Sequence, residues 1–260
     1  VAWPGACLSF SMNAEASAQV DLGTATSLMA EAFATWETAP CDDAGGHPSI
    51  KVSDAFGPAE CGSVEYNARG GNSNLIVFRD DNWPYAGAGR ALAVTSVTSN
   101  NQGVIYDADM EINATEPLSI ADRASAELGV IIGQQDLLSI MTHEAGHFLG
   151  LDHSRDPESI MQVSLSAGEV KIDLGEDDIA GICALYPPER SDVACDPTPN
   201  GGFDPACGDD TMRGGCSLQR QPRGGSTGAK LTPWLFGLCA GWLCRRKRPA
   251  AVGGRLTGGP

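Results

Sequence analysis

The stretch MTHEAGHFLGLDHS, residues 141–154, constrains the fold more than any other part of the sequence. It holds three of the chain's four histidines, His143, His147 and His153. Histidines four residues apart lie above one another on one face of a helix, so both rings can reach a single ion. Gly150 can adopt the backbone conformation that ends a helix and turns the chain, which brings His153 back as a third ligand. The stretch therefore predicts a helix, a sharp turn and a three-histidine metal site.

Glu144 follows the first of these histidines and lies within reach of a water molecule on the same ion. Three neutral imidazoles leave one position of a tetrahedral zinc ion open, as in catalytic zinc sites. We therefore predict one catalytic zinc held by His143, His147 and His153, with Glu144 as general base. The alternative, three core or solvated histidines that cluster by chance, is improbable at this spacing.

The composition narrows the classes of function. The chain of 260 residues can bury a sizeable core. Its 33 acidic and 17 basic residues give a net charge of −16, which repels nucleic acid and anionic membranes, so we expect no nucleic-acid partner. Nine cysteines indicate disulfides in an oxidising compartment. Because the sequence starts at Val1 without an apolar signal segment, we interpret it as a secreted protein whose leader has been removed.

The sequence divides into three parts. Residues 1–188 are predicted to form one globular domain, residues 189–229 a linker rich in glycine and proline, and residues 230–260 a short apolar segment with a basic tail. Apolar periodicity and turn residues predict the elements of the domain. The predicted helices are 25–36, 131–149 and 176–186, and the predicted strands are 74–78, 91–97 and 104–112.

The motif H-E-x-x-H-x-x-G-x-x-H resembles the signature of the metzincin zinc metallopeptidases. Met161, in HSRDPESIM, resembles the methionine of the turn beneath the zinc in that clan. LGEDDIAGICALYPP (174–188) is similar to the C-terminal helix of the matrixin branch, and GRALAVT and YDADMEIN resemble its edge strand and the neighbouring strand. The resemblance implies an α+β, metzincin-like zinc-peptidase domain, with a mostly parallel twisted sheet of about five strands and three helices.

The resemblance also implies an activity, that of a zinc-dependent endopeptidase acting on protein or peptide substrates. Glu144 would take a proton from the zinc-activated water and pass it to the departing amine. An extended substrate would pair with the edge strand at Leu92 and Ala93, and Met161 would form a hydrophobic floor under the zinc. Two other classes stay open: a zinc-binding adhesion or scaffold protein without turnover, and a zinc hydrolase of non-peptide substrates.

Several acidic residues have two interpretations. Asp107, Asp109 and Glu111 alternate along a strand, where they are either candidate calcium ligands or a solvated face. Asp177 and Asp178 either begin a solvated helix or, as the family implies, tie that helix to the turn at Met161 or to the N-terminus. Since only one histidine remains outside the motif, we expect no second zinc of the matrixin structural type.

The cysteines and the tail complete the predictions. Four cysteines in the domain allow three pairings, of which we predict Cys7 with Cys183 and Cys41 with Cys61.

The tail combines GGCS (214–217), the apolar run 231–244 and RRKR, and it resembles the C-terminal sorting signal of myxobacterial surface proteins. That resemblance implies anchoring to a membrane at the cell surface, whereas the alternative is a disordered tail. We expect a monomer.

Overall fold

The computed structural model describes residues 1–62, 64–85, 91–120, 134–164, 168–190 and 193–206. The α-helices in these ranges are α1 (Leu22–Glu37), α2 (Leu137–Phe148) and α3 (Glu176–Leu185). The β-strands are β1 (Cys7–Ser9), β2 (Ser11–Met12), β3 (Lys51–Ser53), β4 (Leu75–Arg79), β5 (Ala93–Ser99), β6 (Ile105–Asn113), β7 (Leu118–Ser119) and β8 (Gln135–Asp136). The predicted sorting signal lies outside the described residues, and within them no helix is both long and apolar enough to cross a membrane.

Within the described ranges the main sheet has four strands, in the order β2-β4-β6-β5. β2, β4 and β6 are parallel, and β5 runs antiparallel to β6 at one edge. A second, parallel pair joins β1 to β3. One residue, Phe10, separates β1 from β2, and its amide donates to the carbonyl of Ser53 at 3.0 Å. The mixed sheet and the three helices fit the predicted α+β class.

Local chemistry explains where the helices begin. The carboxylates of Asp21 and Asp136 accept hydrogen bonds from amides three residues on, at Thr24 (3.0 Å) and Ser139 (2.8 Å), and so act as N-caps of α1 and α2. The two helices pack together on one face of the sheet. There the ring of Phe33 lies 5.0 Å from that of Phe148. This packing fixes α2, the helix that carries the histidine motif.

β6 has two different faces because its side chains alternate. Ala108, Met110 and Ile112 face the helices and are fully buried in the main core. Asp107, Asp109 and Glu111 lie on the opposite face, and each is 5% exposed or less. The solvated-face interpretation of these acids is therefore wrong.

Residues 193–206, which we call the C-terminal strap, follow the predicted domain boundary at residue 188 and continue to contact the domain. The Ser9 hydroxyl donates to the carbonyl of Pro197 (2.7 Å), and the Asn72 amide donates to that of Asn200 (2.6 Å). The amide of Glu60 donates to the carbonyl of Pro205 (2.8 Å). The strap therefore packs against β1 and the chain segment between β3 and β4.

The predicted disulfide pairing is wrong. Cys7 is bonded to Cys195 and Cys41 to Cys183, while Cys61 is disulfide-bonded but belongs to neither pair. Cys195 lies in the predicted linker, where the composition gives no signal that it pairs with Cys7. The Cys41–Cys183 bond joins the chain after α1 to α3.

Candidate metal centre and active-site cleft

His143, Glu144 and His147 all lie in helix α2, as the motif predicts. The rings of His143 and His147 lie on one face, with centroids 4.9 Å apart. The helix ends where Gly150 adopts φ = +100°, a conformation that favours glycine. The amide of Leu151 then donates to the carbonyl of Gly146 at 3.0 Å, which closes the turn.

The turn returns His153 to the same side of α2. Its ring centroid lies 5.3 Å from that of His143 and 4.7 Å from that of His147. One donor atom from each of the three rings lies within 4.8 Å of the others. Among the described residues, no other group of three histidine, cysteine or acidic side chains converges in this way. The structure thus brings together the three predicted ligands.

The hydrogen bonds of the rings fit a zinc site. Nδ1 of His143 lies 2.7 Å from the carbonyl of Ile160, and Nδ1 of His147 lies 2.9 Å from that of Leu151. A carbonyl only accepts, so each Nδ1 carries the proton and each Nε2 keeps a free lone pair. The Nε2 atoms of His147 and His153 are 3.2 Å apart. Zn–N bonds of about 2.0–2.1 Å at tetrahedral angles place ligand nitrogens roughly 3.3 Å apart.

Electrostatics also favour metal binding over protonation. Burial lowers the pKa of His143 to about 4, and burial likewise lowers the pKa of His147. Both rings are therefore neutral near pH 7, the form that binds a metal ion. The carbonyls of Ile160 and Leu151, which orient these rings, carry no signal in the sequence because any residue supplies a carbonyl.

Met161 is 2% exposed, and its side chain packs against Gly146, which lies between His143 and His147 on α2. The turn that carries Met161 is held by Asp178, at the start of α3. The carboxylate of Asp178 accepts hydrogen bonds from the Ser159 hydroxyl (2.5 Å) and from the amide of Ile160 (2.7 Å). Asp178 is 2% exposed, so it ties α3 to this turn and is not part of a solvated helix start. Asp177 accepts a hydrogen bond from the hydroxyl of Ser154.

Glu144 is buried next to the histidines, with 6% of the residue exposed. Its Oε2 accepts a hydrogen bond of 2.5 Å from the hydroxyl of Thr95 on β5. Burial raises the pKa of Glu144 to about 7, while the bond from Thr95 acts in the opposite direction. A cation bound nearby would favour the ionised form. Thr95 lies on the predicted substrate strand, but no sequence pattern predicts its contact with Glu144.

A cleft of about 1140 Å³ opens over this centre. Leu92 and Ala93 line it on one side and the three histidines on the other. β5 is the last strand of its sheet and pairs only with β6 among the described strands. Its outer edge therefore has the backbone groups that an extended peptide needs. Part of the loop between Met161 and α3 (162–175) also lines the cleft, while residues 165–167 fall outside the described ranges.

The candidate calcium ligands have other partners. Glu111 accepts hydrogen bonds from Nε of Arg79 and from the hydroxyl of Tyr85, both at 2.6 Å. Asp109 accepts a hydrogen bond from the backbone amide of Leu75 at 2.7 Å. A second hydrogen bond joins the side chains of Asp109 and Asp107. These contacts do not test the calcium-ligand interpretation of the three acids. Nδ1 of the remaining histidine, His47, lies 3.1 Å from the carbonyl oxygen of Ala39.

Three imidazole ligands, a neighbouring buried carboxylate and a cleft beside an edge strand are the features of a zinc metallopeptidase centre. Comparison with known proteins points to the same class. Residues 75–187, which include the whole histidine motif, match the family model Peptidase_M10, described as Matrixin.

Parts of the chain are also similar to individual known proteins. The chain is 34% identical over 106 residues to Probable matrix metalloproteinase 095L of Invertebrate iridescent virus 3, covering 41% of this chain and 26% of that protein. It is 40% identical over 81 residues to Metalloendoproteinase 1-MMP of Arabidopsis thaliana, covering 30% and 21%. It is 31% identical over 107 residues to Matrilysin of Homo sapiens, covering 41% and 35%. The chain thus spans about a third or less of these relatives' lengths.

The chain contains a matrixin-like metallopeptidase domain. The resemblance seen in the sequence is confirmed to that extent. The resemblance of the tail to a sorting signal stays a prediction.

Proposed function

We propose that this protein is a zinc-dependent endopeptidase that cleaves protein or peptide substrates. The observation that carries the proposal is the convergence of the three histidine donor atoms within 4.8 Å of one another, in a cleft that Glu144 also lines. No substitution interrupts the motif: each histidine, the glutamate and the glycine is present at its position. A scaffold protein without turnover would have no need of Glu144.

Each part of the centre has a chemical role in the proposed reaction. A zinc ion held by His143, His147 and His153 would lower the pKa of a bound water towards about 7 and polarise the scissile carbonyl. The carboxylate of Glu144 accepts the proton of the attacking water and delivers it to the departing amine. The buried position of Glu144 supports this role, because it keeps the carboxylate out of bulk water in the cleft that the three histidines also line.

We propose that the substrate binds as an extended strand along the free edge of β5, near Leu92 and Ala93. Backbone hydrogen bonds of that kind recognise any peptide, so side-chain preference arises in the cleft. The cleft wall opposite β5 includes Ile140 of α2 and Ile160 and Val163 of the Met161 turn. These apolar side chains favour an apolar substrate residue on that side.

We further propose that the enzyme works outside the cytosol, secreted or held at the cell surface. The disulfides Cys7–Cys195 and Cys41–Cys183 support an oxidising compartment. The surface anchor rests on the sequence of the tail. Deleting residues 214–260 is expected to release the protein from the cell without loss of peptidase activity. Retention at the surface after this deletion would contradict the anchor.

Casein or gelatin cleavage, with and without a zinc chelator, tests the proposed activity. The expected result is cleavage that the chelator abolishes and added zinc restores. Glu144→Gln separates an enzyme from a scaffold, since the amide cannot act as a base and none of the three imidazoles changes. Its cleavage rate should fall by about 10²- to 10⁴-fold with one zinc still bound per chain. Wild-type protein that binds zinc but cleaves no peptide would favour the scaffold.

A further inference from the structure

Thr95 is the residue that most directly contacts the proposed general base. It lies in β5 opposite Met110 of β6, and Met110 is fully buried on the face of the sheet that carries the helices. Directly paired residues point to the same face. Thr95 therefore projects towards α2, where its hydroxyl lies 2.5 Å from Oε2 of Glu144.

The hydrogen bond from Thr95 makes the two oxygens of the Glu144 carboxylate different from one another. Among the described residues, Thr95 is the one hydrogen-bond donor seen at this carboxylate, and it binds Oε2. The other oxygen, Oε1, is left to accept a proton. A glutamate side chain has three rotatable bonds, so α2 fixes its backbone but does not by itself fix the carboxylate. A hydroxyl held by a strand of the sheet supplies that missing restraint.

We propose that Thr95 is a positioning residue, which holds Oε2 of Glu144 so that Oε1 faces the reacting water. This inference rests on the proposed peptidase function. Thr95 does not touch the substrate's reacting atoms through its hydroxyl, so its effect passes through Glu144. Because β5 is also the proposed substrate strand, one strand aligns both the peptide, through its backbone, and the base, through this side chain.

The proposal predicts how a substitution would divide between kcat and KM. Thr95→Val keeps the β-branched shape and the backbone of β5, so peptide binding should be maintained. It removes the hydroxyl, so the base loses its alignment and kcat should fall by roughly 10- to 100-fold, the rate equivalent of one hydrogen bond to a charged group. KM should change by less than about threefold. Thr95→Ser restores the hydroxyl and should return kcat to within a few-fold of wild type.

The experiment measures kcat, KM, zinc content and melting temperature of the full chain, with a casein-derived peptide as substrate. Thr98→Val is the matched control, because it makes the same change three residues along the same strand. A double variant, Thr95→Val with Glu144→Gln, shows whether Thr95 acts through Glu144. If it does, the second substitution adds almost nothing to the loss caused by Glu144→Gln alone.

Each outcome decides the proposal. A fall in kcat for Thr95→Val, recovery in Thr95→Ser and no further loss in the double variant support it. Full activity of Thr95→Val, an equal loss in Thr95→Ser, or additive losses in the double variant overturn it while the peptidase function stands. If wild type shows no chelator-sensitive cleavage, the proposed function and this role fail together. If Thr95→Val does not fold, Thr95→Ala and Thr95→Ser carry the same comparison.

Discussion

Gly146 packs directly against the side chain of Met161, at the point of α2 between His143 and His147. A Cβ atom added at Gly146 would collide with the Met161 sulfur and would lie 2.8 Å from Cζ2 of Trp36. Met161 is 2% exposed and Trp36 is fully buried, so neither side chain can move out into solvent without leaving the core. The packing of Met161 and Trp36 against α2 therefore depends on the absence of a side chain at Gly146.

Gly146→Ala is expected to destabilise the domain even though alanine favours helices. The greater helix preference of alanine over glycine would stabilise the variant by about 1 kcal/mol. Overpacking the core would destabilise it by about 1–3 kcal/mol. Displacement of Met161 would also move the carbonyl of Ile160 away from His143, so zinc affinity should fall. Urea unfolding and zinc titration measure the two effects. Gly181→Ala is the control, because its Cβ would meet only the end of the Leu151 side chain; equal behaviour of the two variants would contradict this account.

Asp178 is expected to be the residue on which the Met161 turn depends most. Its carboxylate accepts hydrogen bonds from Ser159, Ile160 and, at 2.8 Å, the amide of Gly175. Asp178→Asn keeps the shape but turns an NH₂ group towards these donors. The free energy of unfolding should fall by about 2–4 kcal/mol, since a hydrogen bond to a buried charge contributes about 1.5–3 kcal/mol.

Asp177→Asn is the matched control for this prediction, because Asp177 is exposed and accepts a hydrogen bond from Ser154 at the surface. Its free energy of unfolding should change by about 0.5 kcal/mol or less. Zinc affinity should fall only in Asp178→Asn, through the turn that carries the carbonyl bonded to His143. Chemical unfolding combined with zinc titration provides both measurements. An unchanged zinc affinity in Asp178→Asn would show that the turn keeps its shape without the carboxylate.

The C-terminal strap lies beyond the predicted domain boundary at residue 188, and it is expected to stabilise the domain. Replacing Cys7 and Cys195 together by alanine in the full chain opens a cross-link that spans 188 residues. Loss of a native disulfide costs about 2–5 kcal/mol, so the melting temperature should fall. A chain that ends at residue 188 should lose more, because Ser9 and Asn72 also lose their strap partners. Equal melting temperatures for this short chain and the full chain would show that the strap contributes nothing.

The histidine motif could be predicted from the sequence because its chemistry is local. His143, His147 and Gly150 obey helix geometry, and α2 and its turn follow from them. The long strands β4, β5 and β6 were also predicted to within about two residues, since each has a run of apolar or β-branched residues. β1, β2 and β3 were missed, because strands of two or three residues carry too short a pattern to be detected.

The parts that sequence could not predict depend on contacts between distant segments. The composition of residues 193–206 is typical of a linker, yet Cys195 bonds to Cys7 and the segment packs on β1. The acids of β6 alternate like a solvated face, but the chain between β3 and β4 covers that side of the sheet. Thr95 and Glu144 are 49 residues apart, and no spacing rule connects a strand hydroxyl to a helix carboxylate. Such pairs appear only once the fold is known.

Asp107 and Asp109 form a buried acidic pair that should make stability depend on pH. Burial, followed by the neighbouring carboxylate of Asp109, raises the pKa of Asp107 to about 8. Burial also raises the pKa of Asp109 above its ordinary value. Between pH about 4 and pH about 8 the folded pair therefore keeps at least one proton that the unfolded chain has already lost. Folded protein binds more protons than unfolded protein in this range, so stability falls as pH rises, by at most about 1.4 kcal/mol per pH unit for each such proton.

Asp107→Asn tests this dependence, because its amide can donate to Asp109 at any pH as the protonated carboxyl does. We expect the variant to match wild type near pH 5 and to be more stable at pH 8. Zinc binding to the histidines also depends on pH, but that contribution is common to both proteins and cancels in their difference. Urea unfolding at pH 5, 6, 7 and 8, with zinc present, measures the difference directly. Asp43→Asn, at an exposed position, is the control and should show a difference from wild type that is small at every pH. A wild-type advantage over Asp107→Asn that grows towards pH 8 would reverse the predicted sign, and it would favour the calcium-ligand interpretation of this pair.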